Sequence, residues 1–263
     1  MKQISILGCG WLGLPLAQKL LADKHRVKGS TTTASKIETL ASYGIISCLI
    51  NLDHTGVNLD QFLNGSDILI INVPPNLRQN ASQSYSDKMG RLIPFIEQSK
   101  VSRVLFVGAT SIYADDNTVV TEETQPIPQT ESSRQLLEAE HLLKKNNAFK
   151  TTILRFGGLI GGNRHPVKYL SGRIGLENAD APVNLIHLED CIGIIQKIID
   201  DEVWGETFNA AYPNHPKRKD YYTNKAIDLQ LPLPVFESGN SFGKIISSEQ
   251  IERQLGYNFH RPI

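Results

Sequence analysis

Cysteine is scarce in this chain. Three occur in 263 residues, at positions 9, 48 and 191. That is too few for a disulfide framework, and none shows the paired spacing of a zinc site. The seven histidines add no metal-ligand spacing either, so no metal is expected. Net charge is also missing: 27 Lys plus Arg meet 27 Asp plus Glu. A general nucleic-acid or acidic-membrane binder carries a basic surplus, so neither partner is expected. The basic run His215-Pro216-Lys217-Arg218-Lys219 is too short to alter this. No apolar stretch reaches the roughly 18 residues that a membrane span requires. The apolar start of the chain has the look of a leader, but glycine spacing and helical periodicity account for it better. These absences leave a cytoplasmic globular protein as the expectation.

What is present is alternation. Short apolar runs at Ile4–Leu7, Val27–Ser30, Ile45–Ile50, Ile68–Val73, Arg103–Val107 and Thr151–Arg155 read as strands. Between them Leu12–Leu21, Ile37–Ala41, Leu59–Leu63, Ala81–Gln98 and a segment ending near Lys145 read as helices, the last capped by Ser132 or Ser133. Gly44 is placed to end the second helix. Ile68–Val73 is apolar on both faces, as in the middle of a parallel sheet covered on both sides. The pattern predicts an α/β protein, a Rossmann-like doubly wound parallel sheet with helices on both faces and a small C-terminal substrate lobe. One domain is expected over 1–263. Its dinucleotide-binding core would occupy 1–155, and 156–263 would complete the sheet and build the lobe. The segment Gly157–Gly175 holds six glycines. Further strands are expected at Leu185–His187 and Thr207–Ala210, and helices at Asp190–Ile199, Lys219–Ile227 and Ser248–Leu255.

Gly8-Cys9-Gly10-Trp11-Leu12-Gly13 is a GxGxxG that follows a strand and opens an amphipathic helix. That context turns a weak motif into a dinucleotide signal. Gly8 permits the tight turn, Gly10 lets backbone approach a pyrophosphate, and Gly13 lets helix pack on sheet. The helix N-terminus, beginning at Leu12, offers N–H groups to phosphate oxygens. Trp11 either covers the cofactor or packs on the strand ends. Cys9 reads as a small packed thiol, since no base adjoins it. An NAD site carries Asp or Glu about 20 residues after the first glycine, to accept from the ribose hydroxyls. Here the second strand exits through Lys28-Gly29-Ser30-Thr31-Thr32-Thr33, with no carboxylate. Hydroxyls at Ser30, Thr31 and Thr33 can donate to a 2′-phosphate that Lys36 would neutralise. NADP is the expected cofactor and NAD the alternative; Ser30 and Thr31 as mere caps of the next helix is the competing reading.

The residues now on the page resemble the extended short-chain dehydrogenase/reductase superfamily. They are most similar to its atypical NAD(P)-dependent epimerase/dehydratase-like branch. Besides the glycine motif, the likeness rests on Asn72-Val73-Pro74-Pro75, Thr110-Ser111-Ile112-Tyr113 and Arg155-Phe156-Gly157-Gly158-Leu159-Ile160-Gly161, in that order. It continues in Asn184-Leu185-Ile186-His187-Leu188-Glu189-Asp190 and Phe208-Asn209-Ala210. The resemblance implies that Val73 and Pro74 wall the nicotinamide ribose, that Leu52 lies near adenine, and that Thr110 sits with the cofactor contacts. Family members usually carry Asp where this chain has Asn51. Ser111 resembles the residue that bonds a substrate oxygen, and Tyr113 a structural or substrate-lining tyrosine.

One departure is decisive. Superfamily enzymes carry Tyr and Lys one helical turn apart, with Lys holding the ribose and Tyr moving the proton. Counting back from Glu140 puts Ser132 and Leu136 at those positions. The ordinary acid/base pair is absent, and Arg134 is the neighbouring residue that can face the cleft instead. Catalytic expectation therefore falls on Ser111, Tyr113 and Arg134. His165, with Arg164 and Lys168 near it, can meet an anionic group, while His187 reads chiefly as a packing histidine. Two function classes follow. One is an NADP-dependent oxidoreductase or sugar-nucleotide epimerase/dehydratase-like enzyme for a small polar, anionic substrate. The other is a non-catalytic NAD(P)-binding sensor or scaffold. A monomer or homodimer is expected.

Overall fold

A computed structural model describes residues 1–54, 58–75 and 84–263. In chain order the elements are β1 (Gln3–Leu7), α1 (Gly13–Ala22), β2 (Arg26–Thr31), α2 (Ile37–Ser42), β3 (Ile46–Leu49), α3 (Leu59–Leu63) and β4 (Ile68–Ile71). Next come α4 (Tyr85–Gln98), β5 (Arg103–Ala109), β6 (Val119–Val120), α5 (Glu131–Lys145), β7 (Lys150–Phe156), β8 (Gly158–Ile160) and α6 (Val167–Leu170). The last are β9 (Leu185–His187), α7 (Leu188–Asp200), β10 (Thr207–Ala210), α8 (Arg218–Asp228), β11 (Ile245–Ile246) and α9 (Glu249–Leu255).

Seven strands form one sheet in the order β10-β7-β5-β4-β1-β2-β3. β1 pairs in parallel with β2 on one side and β4 on the other, so the winding reverses at β1. β2–β3 and β4–β5 are parallel as well. This is the expected doubly wound sheet, and ligands of such sheets bind at the carboxyl ends of the strands where the order reverses. The central strand β4 is Ile-Leu-Ile-Ile with every residue at most 1% exposed. On α1, Leu16, Ala17 and Leu20 are buried while Lys19 faces outward. α5 turns Leu136, Ala139, Glu140 and Leu143 inward, the i, i+3, i+4, i+7 stripe of a packed helix.

The chain divides into two compact units. One comprises Met1–Ala109, Thr130–Arg155 and Ile195–Thr207; the other comprises Thr110–Gln129, Phe156–Ile194 and Phe208–Ile263. The second unit has its own apolar cluster, in which Ile160, Val167, Leu185, Tyr221 and Ala226 are buried. It also carries two small parallel pairs, β8–β9 and β6–β11.

Several expectations need correction. Thr130, not Ser132 or Ser133, caps α5. Its hydroxyl accepts from the Ser133 N–H at 3.2 Å, and the Ser133 hydroxyl accepts from the Thr130 N–H at 3.1 Å. This reciprocal box needs two short polar side chains three residues apart, which Thr130 and Ser133 supply. The described part of α4 begins at Tyr85, capped by Ser84 with Asp87; positions 81–83 of the expected helix lie outside the described residues. The glycine-rich segment Gly157–Gly175, for which no element was expected, contains a strand, β8, and a short helix, α6. Gly44 does end α2, at φ +82° with its N–H donating to the Ala41 carbonyl.

Candidate functional site

The first unit builds a cleft over the exits of β1, β2, β3 and β4. Its floor is the β1–α1 turn. Gly8 holds φ +104°, and a Cβ there would come within 2.5 Å of the Asn72 carbonyl oxygen. The Asn72 side-chain amide donates to the Gly8 carbonyl at 3.0 Å, and the Gly8 N–H donates to the Ser30 hydroxyl at 2.9 Å. The turn is thus fastened to β4 on one side and β2 on the other. A Cβ at Gly13 would overlap the Gly8 carbonyl, so only glycine lets α1 start so close to the turn. Gly10 differs: a Cβ there meets no atom within 4 Å, yet the residue lines the cleft. Its missing side chain serves approach from the cleft rather than packing. No side chain caps α1. An uncapped helix start behind an open glycine turn fits a pyrophosphate.

Gly8, Gly10, Ser30, Thr31, Lys36, Leu52, Val73 and Pro74 line one cleft. Thr32 and Thr33 line it too. Ser30 is nearly buried, and its oxygen is engaged by the Gly8 N–H. Thr31 accepts from the Thr33 N–H at 3.1 Å, closing a local turn rather than capping a helix. Thr32, Thr33 and Lys36 are exposed and carry the accessible polar groups of this wall. The carboxylate lining the cleft, Asp53, is ion-paired with Lys88 of α4. Asn51 accepts from the Asp53 N–H at 3.0 Å, and Arg91 donates to the Leu52 carbonyl at 2.8 Å, so α4 holds the β3 exit in place. Trp11, Leu12 and Gly13 are not among the lining residues; Leu12 is buried at the helix start. Cys9 packs against Gly29, and burial pushes its thiol up to about 12. It is a filler, not a nucleophile.

On α5, Leu136 is 5% exposed and holds no polar group toward anything. Ser132 is half-buried. Arg134 lies on the exposed face, its guanidinium held by Glu131 and Glu138, pairs that must open before it can reach a substrate. The buried acid of this helix is Glu140, whose Oε2 accepts from Arg155 Nε at 3.0 Å and Nη2 at 2.6 Å. Burial raises the Glu140 pKa while Arg155 opposes the rise. A Cβ at Gly108 would lie 2.7 Å from Glu140 Oε1, which explains the glycine in β5.

Thr110, Ser111 and Tyr113 belong to the second unit. Thr110, Ile112 and Tyr113 are buried, and Ser111 alone of the four is exposed. The Tyr113 hydroxyl donates to Asn209 Oδ1 at 3.1 Å, and its carbonyl accepts from Lys244 Nζ at 2.8 Å. Tyr113 therefore anchors the turn that presents Ser111. His165 accepts from the Val167 N–H through Nδ1 at 3.1 Å and meets the Tyr221 hydroxyl through Nε2 at 2.9 Å. Burial, aided by Lys225 and Lys168, lowers its pKa to about 4. The ring is neutral at pH 7 and supplies no charge to an anion. His187 accepts from the Glu189 N–H at 3.3 Å, a helix-start role. Among the described residues no group of three His, Cys, Asp or Glu can hold a metal, and no helix is long and apolar enough to cross a membrane.

A glycine turn at the winding reversal, under an uncapped helix, defines a nucleotide-binding Rossmann protein. The NAD(P)H-binding family model matches residues 8–183, and the chain belongs to that family. It is similar to protein YeeZ of Escherichia coli K12, with 33% identity over 268 residues covering 100% of this chain and 97% of that protein. Among solved structures it resembles a conserved protein of unknown function from Silicibacter pomeroyi. That match has 19% identity and TM-score 0.80 and covers 100% of this chain and 95% of that one. It also resembles UDP-glucuronic acid 4-epimerase from Bacillus cereus, determined in complex with NAD. There the identity is 17% and the TM-score 0.82, with 99% and 92% covered. At these identities the structures establish the fold. The protein is an NAD(P)H-binding family member with a doubly wound Rossmann-like sheet.

Proposed function

We propose that the protein is an NADP-dependent oxidoreductase or sugar-nucleotide epimerase/dehydratase-like enzyme of the cytoplasm, monomeric or homodimeric, acting on a small polar and anionic substrate. The observation that carries the cofactor half is the β2 exit. Exposed Thr32, Thr33 and Lys36 offer hydroxyls and a cation where an NAD site would place a carboxylate. A solved structure with the same fold is a nucleotide-sugar epimerase with NAD, which supports the substrate class. When bound, the dinucleotide supplies the two-electron chemistry of its nicotinamide. The chain supplies the rest. Gly8 and Gly10 bring backbone to the pyrophosphate, Val73 and Pro74 wall one nucleoside, and Ser111 offers an exposed hydroxyl to a substrate oxygen. Replacing Gly10 with Leu fills the cleft from its floor. Calorimetry should show both NAD and NADP weakened at least tenfold, as about 1.4 kcal/mol of lost contact gives. Unchanged affinity for both rejects the phosphate turn.

A second reading, a non-catalytic NAD(P)-binding sensor, is favoured by one observation: Leu136 is buried and apolar where the superfamily lysine would stand. Incubation with NADP(H) and a panel of nucleotide sugars and carbonyl compounds separates the two. Conversion of any member supports the enzyme, and tight dinucleotide binding with no conversion across the panel supports the sensor.

A further inference from the structure

β1 pairs with β4 and β2, so its glycine turn stands at the middle of the cleft. A pyrophosphate on that turn leaves one nucleoside over the β2 and β3 exits, the ribose-reading side. The other nucleoside must lie over the β4 exit, at Asn72–Pro74. That wall includes the Val73 carbonyl. The Tyr85 hydroxyl donates to it at 2.8 Å, from a side chain that is 3% exposed and lines the cleft. Burial raises the pKa of this phenol, so it is a donor at any working pH. Tyr85 is itself held. Its backbone N–H donates to Gln135 Oε1 at 2.7 Å, and Gln135 Nε2 donates to Glu131 Oε1 at 2.6 Å. Gln135 is 6% exposed and lies on α5 between Ser132 and Leu136, the positions where the superfamily pattern would put Tyr and Lys. A second stitch joins the same helices, from the Ser86 hydroxyl to Glu138 at 2.9 Å.

We propose that Tyr85 is a positioning residue of the dinucleotide cleft: its hydroxyl fixes the Val73 carbonyl, Gln135 fixes Tyr85, and α5 thereby shapes the wall beside the second nucleoside without touching it. This rests on reading the cleft as a dinucleotide site. The buried Tyr85 N–H needs a partner, which Gln135 supplies, and the half-buried Val73 carbonyl is held in one orientation by the Tyr85 hydroxyl.

The test is calorimetric titration of wild type, Tyr85→Phe and Gln135→Ala with NADP, NAD, ADP and adenosine 2′,5′-bisphosphate. The last two carry only the adenosine half. Tyr85→Phe should weaken both dinucleotides about three- to tenfold, the scale of one lost hydrogen bond. It should leave the adenosine fragments within about twofold. Gln135→Ala should show the same pattern with a smaller loss, and it carries the test if Tyr85→Phe does not fold. Equal losses for dinucleotides and fragments would mean general loosening of the unit and overturn the inference. So would wild-type affinity for dinucleotides in both variants. A wild type that binds no dinucleotide overturns the reading of the cleft itself.

Discussion

The Ser30 hydroxyl accepts the Gly8 backbone N–H at 2.9 Å, so β2 closes the phosphate turn of β1. A residue chosen from sequence as a 2′-phosphate donor thus also braces the floor of the cleft. Ser30→Ala leaves the Gly8 N–H without that partner in a nearly buried place. It should cost about 1–3 kcal/mol in denaturant unfolding and weaken NAD and NADP alike. Ser30→Asp keeps an acceptor for the N–H but adds a negative charge, and should weaken NADP more than NAD. Titration of both variants with both dinucleotides checks the pair of effects.

His165 makes the second unit acid-sensitive. Its pKa falls from 6.5 to about 4 on folding, chiefly through burial. The unfolded chain therefore binds the proton more readily than the native one between those values. The neutral ring's contribution is complete above pH 6.5 and is lost as pH falls toward about 4. Unfolding free energy measured from pH 7 to 4 should fall less steeply in His165→Gln than in wild type. Parallel profiles would contradict this.

Ser at position 132 and Leu at position 136 predict where turnover will and will not respond. Ser132 carries an ordinary hydroxyl and Leu136 cannot ionise, so neither relays a proton. With a substrate in hand, Ser132→Ala should leave turnover within a few-fold at saturating NADP(H). Ser111→Ala should lower it about tenfold or more, the scale of a polar contact to developing charge. A large loss at Ser132 with little at Ser111 would move the chemistry back to α5.

Much of this was legible in the residues. GxGxxG before an amphipathic run located the turn, and the apolar runs located the core strands; Leu185–His187 and Thr207–Ala210 match β9 and β10 end to end. What escaped has physical reasons. β6, β8 and β11 are two or three residues long, too short for a period-2 pattern to emerge. Asn72, Tyr85 and Gln135 act on partners 64, 12 and 50 residues away, and no spacing rule links such positions. The Thr130–Ser133 box was missed because Ser takes the place usually held by Glu or Gln. Asn72 did carry a signal, since it stands directly after an apolar strand and before two prolines.

The most direct test of the account is the pair of dissociation constants for NADP and NAD, measured on wild type and on Lys36→Ala. The β2 exit offers exposed threonine hydroxyls and Lys36 with no carboxylate of its own, so wild type should bind NADP more tightly. Lys36→Ala should weaken NADP several-fold, about the 1 kcal/mol of a charge-assisted contact at an exposed site, and leave NAD nearly unchanged. Tighter binding of NAD by the wild type, or equal loss of both dinucleotides in the variant, would contradict it.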